Sequence, residues 1–285
     1  MFTVMGVTGQ VGGAIARALL ADGKQVRAVV RDPIKAAVWK ERGCELSVAD
    51  VNDADALASS FKDAEGVFVM LPPTFDPSPG FPEARQAIAA LHRALNVAKP
   101  ARVVVLSTIG AQVTRPNLLN QLHLLEESLA TLPLPIAFLR PTWFIENVSW
   151  EVAPARATGV IPSFLHPLDK PFPMIATQDI GQAAAGLLTQ TKTWTGQQIV
   201  QLEGPTRISP NDIAAAFATL LNKDVSTQVV PHDTWESTFR AQGMKNPTPR
   251  IQMLDGFNEG WIDFDGESPI QKTQTTLIEA LRSLL

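Results

Sequence analysis

A glycine-punctuated turn at the very start of the chain constrains what it can fold into. Phe2-Thr3-Val4-Met5 reads as a short buried strand. Gly6-Val7-Thr8-Gly9-Gln10-Val11-Gly12-Gly13 then leads directly into a helix with its apolar stripe at Val11, Ala14, Ile15, Ala18 and Leu19, ended by Gly23. Glycines at this spacing, between a strand and a helix, let a pyrophosphate come up against free backbone N–H groups at the helix N-terminus. A Cβ at the turn would keep the phosphate at a distance. Gly6, Thr8, Gly9, Gln10 and Val11 are therefore candidate phosphate contacts.

Strand and helix patterns alternate from there through the first half. Gln25–Val30, Glu45–Val48, Gly66–Met70, Arg102–Ser107 and Pro135–Leu139 read as strands two to six. The helices between them are expected at Pro33–Arg42, Asp53–Phe61, Pro82–Val97 and Pro116–Ala130. Such alternation implies a parallel sheet covered on both faces and, with right-handed crossovers, a doubly wound α/β Rossmann fold. Its ligand crevice lies outside the C-terminal ends of the strands. Beyond about Ser149 prolines multiply and aromatic residues enter loops. Helices are expected at Asp179–Leu188, after the Ser209-Pro210-Asn211-Asp212 cap, and at Thr273–Leu285, with a strand at Gln198–Leu202. The chain thus divides into a dinucleotide-binding core, residues 1–148, and a smaller interleaved α+β substrate lobe, residues 149–285, with helices returning to the core.

Composition narrows the partners. A net charge of −4 without a Lys/Arg stripe argues against nucleic acid. No apolar run approaches the roughly 18 residues of a membrane span, and the N-terminus lacks the pattern of a signal peptide. The single cysteine, Cys44, excludes an internal disulfide and suits a reducing compartment. A soluble cytoplasmic protein is expected, of unspecified oligomeric state.

The end of the second strand bears on the cofactor. A carboxylate there would bind a ribose 2′-OH, whereas a cation accommodates a 2′-phosphate. Val29-Val30-Arg31-Asp32-Pro33 places Arg31 at that point with Lys35 beyond, which favours NADP(H) over NAD(H). The alternatives are two solvated loop cations, or Asp32 facing the ribose. Asp50 and Val51 suit the adenine edge, Leu71 and Pro72 the nicotinamide ribose, and Ser107 and Thr108 the same crevice. Each is equally compatible with an ordinary strand-end loop. The chain has no tyrosine, so the tyrosine general acid of ordinary short-chain dehydrogenases cannot operate here.

The glycine turn, Val30-Arg31-Asp32-Pro33-Ile34-Lys35 and Leu139-Arg140-Pro141-Thr142-Trp143-Phe144-Ile145-Glu146-Asn147 together resemble the NmrA-like branch of the atypical short-chain dehydrogenases. His123-Leu124-Leu125-Glu126-Glu127 and Thr177-Gln178-Asp179-Ile180 fit the same pattern. The resemblance implies NADPH-dependent reduction of quinones, triphenylmethane dyes or iminium compounds, or else a non-catalytic NADP(H)-sensing regulator. It adds Pro141 to the candidate cofactor contacts. Isoflavone-reductase-like relatives carry a catalytic lysine on the helix before the sixth strand, and Pro116–Ala130 has none. His123 is then the nearest candidate proton donor, or a helix residue that caps a loop. Asn147 either orients a substrate or stabilises a turn. Trp143, Phe144, Trp150, Phe164 and Met174 would wall a flat hydrophobic aromatic substrate, or form ordinary lobe core, as is expected of Phe257 and Trp261. His92, His166 and His232 show no metal-ligand spacing with one another or with Cys44.

Overall fold

Residues 1–192 and 194–285 are described by a computed structural model. The first half supplies six strands, β1 (Phe2–Met5), β2 (Val26–Val30), β3 (Glu45–Val48), β4 (Gly66–Val69), β5 (Val103–Leu106) and β6 (Ile136–Pro141). Between them run α1 (Gln10–Ala21), α2 (Ala37–Glu41), α3 (Ala54–Phe61), α4 (Pro82–Ala98) and α5 (Asn120–Leu129). The second half contributes β7 (Trp143–Phe144), α6 (Val152–Ala157), β8 (Val160–Ser163), β9 (Met174–Ile175), α7 (Thr177–Thr189) and β10 (Gln197–Glu203). It closes with α8 (Pro210–Leu221), β11 (Ser226–Val229), α9 (Trp235–Ala241), α10 (Thr248–Glu259), β12 (Ile270–Lys272) and α11 (Leu277–Arg282).

Eight strands form one sheet in the order β12-β10-β6-β5-β4-β1-β2-β3. Every pairing in it is parallel. Parallel strands need crossovers, and those helices cover both faces. Val11, Ile15 and Leu19 of α1, Trp39 of α2 and Ile180, Ala184 and Leu188 of α7 bury one face. Leu57 and Phe61 of α3, Leu91 and Leu95 of α4 and Leu125 and Leu129 of α5 bury the other. The order reverses between β1 and β4, which opens the crevice at their C-terminal ends.

The lobe has its own core, with Phe172, Phe217, Trp235, Phe239 and Phe257 among its buried side chains. Two small parallel pairs, β8–β11 and β7–β9, frame it. The sheet also recruits β10 and β12 from this half of the sequence.

Three helices are shorter than their patterns predict, and polar side chains account for this. After β2, Asp32 Oδ1 accepts the Ile34 and Lys35 amides at 2.9 and 3.4 Å, so Pro33–Ala36 forms a turn and α2 begins at Ala37. Before α5, Asn120 Oδ1 accepts the Asn117 amide and Asn117 Oδ1 that of Leu119, both at 2.7 Å. These bonds replace the helical ones expected from Pro116 onward. Within Thr273–Leu285, Thr273 N–H continues the strand bonding to Glu203 O at 2.8 Å, and the helix starts after a Thr276/Glu279 capping box.

Candidate active site

The glycine turn closes on itself. Gly6 has φ +69°, a left-handed conformation that favours glycine, and its carbonyl accepts the Gly9 amide at 2.9 Å. A Cβ on Gly12 would stand 2.3 Å from Gly6 O and 2.5 Å from Met5 O, so the helix can approach the strand only without one. Gly9 is the N-cap of α1 and brings no side-chain acceptor. The first-turn amides are thereby left to a ligand, and the helix dipole favours an anionic one. Thr8, Gly9 and Gln10 are exposed at this mouth, whereas Val11 points into the core. The cradle thus fits a pyrophosphate.

Three cations along β2 and just beyond it have different environments, Arg27 near the start of the strand and Arg31 and Lys35 after its end. Arg27 is tied down, donating to Glu45 Oε1 at 2.6 Å and to the Ser60 and Lys62 carbonyls at 2.9 Å. Arg31 and Lys35 are exposed and, among the described residues, take part in no ion pair. Asp32 is spent on the turn described above, which disfavours its facing a ribose. Asp50 similarly accepts the Asn52 amide at 2.9 Å, and Val51 is half-buried against the α3–α4 side of the core. Leu71 is buried and Pro72 exposed where β4 ends.

The ends of β5 and β6 carry a polar network absent from the sequence expectations. Arg140, the penultimate residue of the otherwise apolar strand β6, has a side chain only 5% exposed. It binds Glu126 of α5 through two parallel bonds, Nε–Oε1 at 2.9 Å and Nη2–Oε2 at 2.6 Å. Its Nη1 also donates to Asp265 at 3.0 Å, and Gln201 of β10 donates to the other oxygen of Asp265 at 2.7 Å. Burial opposes the Arg140 charge, but the Glu126 and Asp265 carboxylates outweigh it and hold the guanidinium above its usual range. Burial likewise works to raise Asp265, while bonds from the Glu267 amide, Gln201 and Arg140 bring its carboxyl below the usual range. Ser107 is drawn into this network, its hydroxyl donating to Glu126 Oε1. A charged residue interrupting an apolar strand was the available signal, since a buried arginine requires partners.

Thr108 is half-buried beside Ser107, and the Pro141 carbonyl accepts the Ile109 amide at 2.9 Å, joining the β5 loop to the end of β6. His123 Nδ1 donates to Ala111 O of the same loop at 2.8 Å, and its Nε2 lies 3.4 Å from Glu127. These are the contacts of a residue that caps a loop.

The structure disperses the aromatic candidates. Trp143 is half-buried and meets Phe257 edge-on, centroids 5.1 Å apart. Phe144 is half-buried against the core beside α1 and α7. Asn147 is exposed on a 3₁₀ turn, Ile145–Glu151. Trp150, on the same turn, is 84% exposed and forms no buried wall. Phe164 stacks on Phe239 at 5.0 Å and Met174 is fully enclosed, so both belong to lobe core. Phe257 is core as expected, and half-buried Trp261 stacks under Arg115 at 4.5 Å.

Sheet topology and glycine cradle together define a dinucleotide-binding protein of the Rossmann class. The NmrA-like family model matches residues 1–270, and the chain belongs to that family. The NAD(P)H azoreductase of Xenophilus azovorans is 25% identical to it over 266 residues, or 91% of this chain and 85% of that protein. The NADPH-dependent quinone oxidoreductase of Escherichia coli, solved with NADPH, superposes with a TM-score of 0.81 at 21% identity, covering 100% and 99% of the two chains. The triphenylmethane reductase of Citrobacter sp., solved with NADP(H), gives the same TM-score at 19% identity and the same coverage.

Proposed function

We propose that this protein is an NADPH-dependent reductase that delivers hydride to a conjugated, electron-poor aromatic acceptor of the quinone or dye class. The observation that carries this reading is the glycine cradle on α1 combined with two uncommitted cations, Arg31 and Lys35, at the tip of the adjacent strand. The azoreductase, the quinone oxidoreductase and the triphenylmethane reductase support the acceptor class. When bound, NADPH supplies the hydride.

The chain's own residues then have separable tasks. First-turn amides of α1 hold the pyrophosphate, and the planar Arg31 fork, with Lys35, takes the 2′-phosphate. Leu71, Pro72, Thr108 and Pro141 shape the floor, with Ser107 held in place by Glu126. The lobe covers that floor, with half-buried Trp143 and exposed Asn147, just beyond β6, as acceptor-side residues. A conjugated acceptor delocalises the incoming electron pair until water supplies a proton, so no tyrosine is needed. Orientation and exclusion of water are the protein's contribution. His123 acts as a positioning residue that steadies the β5 loop through Ala111.

The test is NADPH consumption by the purified protein against a panel of quinones, azo dyes and cationic triphenylmethane dyes. Turnover with at least one acceptor class is expected. Tight cofactor binding without turnover across the panel would instead assign the protein to NADP(H) sensing.

A further inference from the structure

The loop that follows β4, residues 70–81, starts at the C-terminal end of the sheet, where the crevice opens, and is fastened to both halves of the molecule. On the core side, buried Gln121 of α5 donates through Nε2 to Thr74 O and to Leu118 O, both at 3.2 Å. On the lobe side, the Asp76 carboxylate accepts two amides from the turn between α9 and α10, that of Lys245 at 2.8 Å and that of Asn246 at 2.7 Å. The Asn246 side chain donates in return to Pro77 O at 2.9 Å. A second tie runs alongside, where the Leu118 amide donates to Pro249 O, at the start of α10, at 2.9 Å. Core and lobe are thus joined beside the crevice by two neighbouring strips of chain.

Phe75 sits between the two fastenings of this loop. Thr74 before it is bonded to α5 and Asp76 after it to the lobe. Phe75 itself is 59% exposed and belongs to none of the three hydrophobic cores among the described residues. A lone exposed apolar residue is ordinary, but here the backbone is pinned on both sides, so a loose loop does not account for the exposure. Pro72, on the crevice floor, is three residues back along the chain, which limits the separation of the two backbones to about 11 Å. A flat ring held between two surfaces needs about 7 Å, one carbon–carbon contact on each face. The loop is therefore short enough to bring an aromatic face over a ring that lies on the floor, and solvent reaches that face in the free protein.

We propose, on the basis of the reductase reading above, that Phe75 is a specificity-determining residue whose ring stacks on the acceptor and selects extended planar ones, with Asp76 and Gln121 as positioning residues that hold it over the floor. The negative face of a phenyl ring complements an electron-poor quinone. Stacking also removes apolar surface of both rings from water, and the area removed grows with the number of fused rings in the acceptor. The contact is made equally before and during hydride transfer. It therefore lowers KM and leaves kcat unchanged.

Steady-state kinetics of the full-length protein with one-, two- and three-ring quinones at saturating NADPH test this. Phe75→Ala should raise KM in step with ring count, by about tenfold for the three-ring quinone and less than about threefold for the one-ring quinone. Its kcat, NADPH affinity and melting temperature should match the wild type, and Phe75→Trp should retain the wild-type KM values. Asp76→Ala should reproduce the same graded rise, which a merely structural clasp would not; Phe75→Ala decides the matter if Asp76→Ala does not fold. Unchanged KM values in Phe75→Ala, or a rise independent of ring count, would overturn the proposal. Equilibrium titration of the same quinones into the NADP⁺ complex reads the contact without turnover. Binding without reduction by the wild type, weakened in the same graded way by Phe75→Ala, would uphold Phe75 and refute the reductase reading. A wild type that neither binds nor reduces any of the quinones would refute both.

Discussion

At the scale of single residues, cofactor choice rests on the geometry around Arg31. Asp32, the alternative ribose ligand, turns back onto the Ile34 and Lys35 amides. That turn leaves the two cations exposed at the strand tip. A guanidinium–phosphate contact contributes about 2 kcal/mol, roughly thirtyfold in Kd. Arg31→Ala should therefore weaken NADPH by about that factor while NADH, which lacks the phosphate, shifts by less than about threefold. Fluorescence titration with both cofactors checks the difference, and equal losses would place Arg31 away from the 2′-phosphate. The exposed position of Arg31 at the tip of β2 was legible because a strand's end can be read from local sequence. The partners of Arg140 were not, since Glu126 lies 14 positions away and Asp265 125 positions away. Only the folded chain brings those charges together.

At the scale of elements, the 3₁₀ turn Ile145–Glu151 joins β6 to the lobe and ends in a carboxyl with an unusual proton affinity. Burial pushes Glu151 up to about 8 from its ordinary 4.5. Folding then takes up a proton at any pH between those values, because the unfolded chain has already lost it. Stability attributable to this group is greatest below about pH 4.5, falls as pH rises through the window, and levels off above about 8. Glu151→Gln should abolish that slope, so its melting temperature should gain on the wild type progressively between about pH 5 and 8. Parallel wild-type and variant profiles would show that Glu151 is solvated. Periodic helices such as α1 and α4 were legible because their apolar stripes face one core. Three-residue β12 was not, since Ile270, Gln271 and Lys272 are all exposed and only the neighbouring edge of β10 makes them a strand. The choice between crevice wall and lobe core stayed open in the sequence at Phe164 and Met174 for a related reason. Apolar side chains near a strand end look alike in sequence whether they line a crevice or fill a lobe.

At the scale of the whole molecule, the segment around Asp263–Asp265 straps the lobe to the sheet. Arg207 holds Asp263 through two bonds of 2.8 Å, Gln112 donates to the Asp263 carbonyl at 2.8 Å, and Asp265 joins Arg140 to Gln201. Replacing Asp265 with Asn keeps an oxygen for Gln201 but turns an N–H group towards the Arg140 fork. Arg140 retains Glu126, so the loss should fall below the full cost of breaking a buried pair, at about 2 kcal/mol. In a chain of this size that lowers the melting temperature by roughly 3–4 °C. Breaking the exposed Arg240–Glu236 pair by Arg240→Ala should cost under about 0.5 kcal/mol and serves as the control. NADPH at one hundred times the wild-type Kd, used for both proteins, should then add about 2.7 kcal/mol to Asp265→Asn and wild type alike. The increments should match because the proposed pyrophosphate and 2′-phosphate contacts are on β1, α1 and β2, whereas the strap closes over β5, β6 and β10. A smaller increment in Asp265→Asn, measured by calorimetry with and without NADPH, would mean that the strap shapes the nicotinamide side of the crevice as well as holding the lobe in place.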